Sequence, residues 1–142
     1  MTINESIIKW LYEYGQIEID ERIDTDLLQA KANAYAVSKT PTTIKEEFID
    51  GSSFNTEYYT FFMRKKSQFE LDRKGNNAFL EELTDWVEER NADGNIPKLD
   101  NNRFCESISI SSGFYLFETE ESESVYQLTF EIIYRKEKAN RE

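Results

Sequence analysis

The side chains that could do chemistry in this chain are overwhelmingly carboxylates. Asp and Glu number 28 against 17 Lys and Arg, there is no histidine, and Cys105 is the one cysteine. The commonest general base and the commonest transition-metal ligand are therefore missing. A single cysteine builds neither an internal disulfide nor a structural zinc site. Two carboxylates held at a set separation across a pocket could hydrolyse a glycosidic bond. With so many acids, accidental pairs abound, and the pattern places none of them in an otherwise apolar strand interior. Cys105 has no histidine to activate it and reads as a small packed or edge residue. The five glycines are scattered, so there is no phosphate loop, and nucleophile elbows and metalloprotease helices are absent as well. The acidic run Glu18, Asp20, Glu21, Asp24 and Asp26 lacks the central glycine and terminal bidentate Glu of an EF-hand; it reads as a solvated loop or edge segment. No catalytic, cofactor-binding or metal-binding residue is assigned, and the chain is not expected to be an enzyme.

What remains is charge placed for contact. Arg64, Lys65 and Lys66, extended by Arg73 and Lys74, form one basic cluster, and Arg135, Lys136 and Lys138 form another. Each falls at or just beyond the end of an aromatic strand. Such clusters make salt-sensitive contacts with acidic patches on a partner or neighbouring subunit, or they guard strand edges against aggregation. Loops at 50–56 and 119–124 are further docking surfaces. The residues expected to touch a partner are thus Arg64, Lys65, Lys66, Asp50, Ser53, Glu120, Glu121, Glu123, Arg135 and Lys136. The net charge of −11 repels nucleic-acid backbones and anionic membranes at long range.

The elements that must position these residues are legible as apolar periodicity. In the stretch 76–99, Phe79, Leu80, Leu83, Trp86 and Val87 recur at helical spacing, with Glu81, Glu82, Asp85, Glu88 and Glu89 away from that stripe. Asn76 or Asn77 supplies a cap, and Asn91-Ala92-Asp93-Gly94 before Pro97 stops the helix, which predicts a central helix over 76–91. An opening helix over 1–15 starts at a Thr2/Glu5 capping box, carries Ile3, Ile7, Trp10, Leu11 and Tyr14 on one side, and ends near Gly15. Strands are expected at 33–39, at 42–50 after the punctuation of Pro41, and at 55–66, the last two as an antiparallel hairpin. The strand at 55–66 carries aromatics on both faces, Tyr59, Phe61 and Met63 against Tyr58, Thr60, Phe62 and Arg64. It is therefore expected to be central or covered on both sides. Further on, 104–111 has Ile108 and Ile110 inward, Ser111-Ser112-Gly113 forms a bulge or bend, and 114–118 continues the strand. In 125–134, Tyr126, Leu128, Phe130, Ile132 and Tyr134 alternate with polar residues. The charged tail, 136–142, is expected to fray.

These elements predict one small α+β domain over 1–142, with an antiparallel sheet of about five to six strands packed against two main helices. A composition 39% hydrophobic and 14% aromatic suits a packed core rather than a disordered chain. There is no charged, apolar leader at the start and no apolar run near the roughly 20 residues of a membrane helix, so a soluble protein made in a cytoplasm is expected.

Several stretches together look familiar: the opening helix ESIIKWLYEYG, then AYAVSKTPTTIKEEFIDGSSFNTEYYTFFMRKKSQFELDR, NNAFLEELTDWVEERNADGNIPKL and FCESISISSGFYLFETEESESVYQLTFEIIYRKE. They resemble a family of minor capsid and tail-terminator-like proteins of tailed bacteriophages, mainly those with long flexible tails in Gram-positive hosts. The resemblance covers nearly the whole chain in order and texture. A Tyr-Ser-type strand precedes a proline, an Asp-Gly turn leads to an aromatic strand ending in basic residues, and a helix with an internal Trp runs into an Asn…Leu/Ile-Pro-x-Leu loop before a closing strand pair. The chain departs from the family's usual Ser-Ile at Val37-Ser38. The resemblance implies a non-enzymatic virion protein, assembled in the bacterial host cytoplasm, that forms a ring, commonly six-fold, at the tail–head junction. Such a ring ends the tail tube or joins tail to head. The implied partners are other copies of the chain, the tail-tube protein and a head connector or completion protein. DNA passes nearby without specific binding, and neither cofactor nor membrane is involved. A minor capsid or head-completion connector role is the alternative, and an acidic inhibitor or adaptor of a basic host protein stands as a further reading.

Overall fold

Period-two alternation and one well-capped helix account for most of the architecture in the computed structural model, which describes residues 1–17 and 22–138. In chain order the elements are α1 (Ile3–Leu11), β1 (Ile23–Thr25), β2 (Ala34–Glu47), β3 (Ser53–Lys66), α2 (Glu70–Ala92), β4 (Arg103–Thr119) and β5 (Glu123–Lys136). The five strands form one sheet in the order β1-β2-β3-β5-β4. This is the small α+β domain that the periodicity predicts, with one change to the sheet. β1 joins parallel to β2 through Ile23–Tyr35 and Thr25–Val37, so the sheet is mixed rather than wholly antiparallel. Burial of Ile23 pins this edge strand inside the acidic run. Glu18, Asp20 and Glu21 of that run, and 139–142 of the charged tail, lie outside the described residues.

β3 is central, paired antiparallel to β2 on one side and to β5 on the other. Both helices lie on one face of the sheet, where the buried alternates of each strand meet them. Tyr35 and Val37, Tyr59, Phe61 and Met63, and Tyr126, Leu128, Phe130, Ile132 and Tyr134 form one cluster with Ile7, Trp10 and Leu11 of α1 and Phe79, Leu80, Leu83 and Val87 of α2. The opposite face has no covering layer among the described residues, and its Tyr58, Phe62, Gln127, Thr129, Glu131 and Ile133 are half-buried by their neighbours alone. The aromatics on both faces of β3 thus mark a central strand covered on one side.

Two boundaries move. Pro41 does not divide two strands: β2 runs through it, with a register shift between Lys39 and Thr43. β1 has ended by then, so β2 is an edge there and a missing N–H costs no ladder bond. α2 begins at Glu70, ahead of the expected Asn76. Its first turn has no apolar stripe and is held instead by polar contacts: Phe69 N–H donates to Asp72 Oδ2 at 3.3 Å and Arg73 pairs with Glu70 at 2.9 Å. Asn76 is not a cap. Its buried amide donates to Lys66 O at 2.9 Å and to the Tyr126 hydroxyl at 3.4 Å, tying the helix to β3 and β5. The other end of α2 is as expected: Gly94, at φ +76°, donates to Asn91 O at 3.2 Å and Asn95 N–H to Arg90 O at 2.9 Å, a Schellman closure.

Trp86 sits on the α2 stripe but meets the other helix. Its ring lies 4.6 Å from that of Trp10 and 5.4 Å from that of Tyr14, and the Arg90 guanidinium stacks 5.0 Å above it. Trp10 Nε1 donates to Asn95 O at 2.6 Å and the Tyr14 hydroxyl to Phe79 O at 2.9 Å, so α1 is bonded to the segment after α2 and the turn after α1 to α2 itself.

Candidate functional site

The residues expected to touch a partner separate into two groups at opposite ends of the sheet. At one end Lys66 stands opposite Glu123 and Lys65 opposite Ser124 across β3 and β5, with Glu120 and Glu121 in the adjoining turn. Glu120 N–H closes that turn on Glu123 O at 2.8 Å. The first basic cluster therefore adjoins an acidic turn of its own chain. Arg64 Nε donates to Gln29 O at 3.0 Å, and Lys65 Nζ rests 5.0 Å over the Tyr35 ring and 5.4 Å over that of Phe79. At the other end Ser53 stands opposite Lys136, and Arg135 opposite Phe54. Arg135 pairs with Glu137 at 3.2 Å and lies 5.1 Å over the Phe104 ring. Asp50 accepts from Ser52 N–H at 2.9 Å and from its hydroxyl at 2.6 Å, and these bonds hold its carboxyl below the usual carboxylate range.

One carboxylate does sit in an otherwise apolar strand interior, against expectation. Glu57 of β3 is only 5% exposed, on the face that meets the helices. Its carboxylate accepts from the Tyr59 hydroxyl at 3.0 Å and from the Tyr134 hydroxyl, and Lys39 Nζ of β2 is 3.5 Å away. Desolvation first, then Glu57, pushes the ionisation of both phenols above its ordinary range. The cluster opens onto a cavity of about 420 Å³ at the start of α1, lined also by Asn4, Asp26 and Arg103. Asn4 donates to Val37 O at 3.0 Å, fastening α1 to β2 there. With two phenols that keep their protons as donors and an ammonium beside it, Glu57 ties β2, β3 and β5 together. The signal for it is present in the sequence: counting back by twos from Met63 through Phe61 and Tyr59 lands on Glu57, then Asn55 and Ser53, all of which are buried.

Cys105 is half-buried on β4, and burial pushes its thiol up to about 12, so it carries no thiolate at neutral pH. Among the described residues no three His, Cys, Asp or Glu side chains converge as metal ligands, and no helix is long and apolar enough to cross a membrane.

What the arrangement offers is surface. On the uncovered face, Phe62 packs edge-on to Phe117 at 6.2 Å near one end, with Tyr115 beside them. Near the other end, Phe54 lies on the same cross-strand row as Phe104, and Phe48 packs edge-on to Phe54 at 5.5 Å. All but Phe62 are exposed. No protein-family model and no curated protein matches the chain.

Proposed function

We propose that this chain is a non-enzymatic structural protein of a tailed bacteriophage, forming a ring with copies of itself at the tail–head junction. There it terminates the tail tube or joins the tail to the head. The observation that carries the reading is the exposed aromatic surface: a sheet covered by helices on one face only, with aromatic side chains displayed at both ends of the bare face. Exposed aromatic clusters of this kind fit contact with other protein. Two further points support it, the whole-chain resemblance and the use of Glu57, the one buried carboxylate among the described residues, in holding strands together. A ring built from one chain joins a patch on each copy to a different patch on the next. The net charge of −11 lets DNA pass such a ring without sticking. A minor capsid or head-completion connector role is the neighbouring form of the same proposal.

Electron microscopy of tails from phage lacking the gene tests it. Tails of uncontrolled length are expected for a terminator and normal-length tails without heads for a joining protein; normal, headed particles would overturn both.

A second reading has its own observation. Glu81, Glu82, Asp85, Glu88 and Glu89 are all exposed on α2, an acidic row of the sort that an adaptor mimicking nucleic acid would present to a basic host protein. Capture of a host DNA-processing enzyme that is lost at high salt would favour it.

A further inference from the structure

We draw no further inference here: the strongest candidate, the bare sheet face with Phe54 and Phe104 at one end and Phe62, Tyr115 and Phe117 at the other, belongs to the surface already described, and nothing in the structure shows what covers it.

Discussion

Glu57 concentrates the residue-scale energetics. A buried carboxylate is tolerated only when it is hydrogen-bonded and its charge is met, and here two phenols donate to it and an ammonium lies 3.5 Å away. Tyr134→Phe removes one of these charge-assisted bonds and should cost about 1.5–3 kcal/mol, read as a lower urea midpoint with an unchanged slope. No loss would mean that water replaces the hydroxyl. The phenols also set an alkaline limit. Burial raises the ionisation of Tyr14, Tyr59 and Tyr134 above the ordinary tyrosine value of about 10. Because the folded values are the higher ones, their contribution is complete below about pH 10 and is lost as pH rises beyond it, where the unfolded chain releases protons that the folded chain retains. Ultraviolet titration should show these three phenols ionising together with unfolding, after the exposed tyrosines; early ionisation of all of them would contradict their burial.

At the scale of elements, α2 does two jobs with different residues. Phe79, Leu80, Leu83 and Val87 are buried in the core, while Trp86 spans the gap to α1 and is only half-buried. Trp86→Ala should therefore cost about 2–3 kcal/mol, less than the ~3–5 of a fully buried aromatic, and weaken the α1 contact before the sheet. Hydrogen exchange at α1 amides reads that order; uniform loss of protection would place Trp86 in the core proper. Gly94 ends the helix at φ +76° with open space where a Cβ would project. Gly94→Ala tests backbone strain alone, about 1–2 kcal/mol by thermal or urea unfolding.

At the scale of the whole molecule, charge opposes compaction. The chain carries −11, and its ion pairs are mostly exposed ones of small worth, such as Lys45–Glu47 and Arg73–Glu70. Screening should therefore stabilise it. Moving from low to moderate salt should raise Tm by roughly 3–5 °C for each kcal/mol of repulsion relieved, followed by calorimetry; a falling Tm would mean that ion pairs outweigh repulsion.

The sequence by itself determined which side chains go inside. Tyr126 through Tyr134 alternate, and the structure buries every alternate on the helix side; Gly94 before Pro97 stops α2 where its chemistry requires. Period and cap are local properties, set by backbone geometry within a few residues. Tertiary structure decided what locality does not contain. Asn76 looks like a cap in sequence but is a buried tie, because β3 and β5 bring Lys66 O and the Tyr126 hydroxyl to it. Glu57 looks like one acid among many, and only the register of β2, β3 and β5 brings Lys39 and Tyr134 to it. Pro41 passes inside a strand because β1 stops short and leaves that edge free. The two basic clusters, alike in sequence, part to opposite ends of the sheet because antiparallel pairing sets the end of β3 against the start of β5. Each of these outcomes depends on residues far apart in the chain, whose meeting is fixed by strand register.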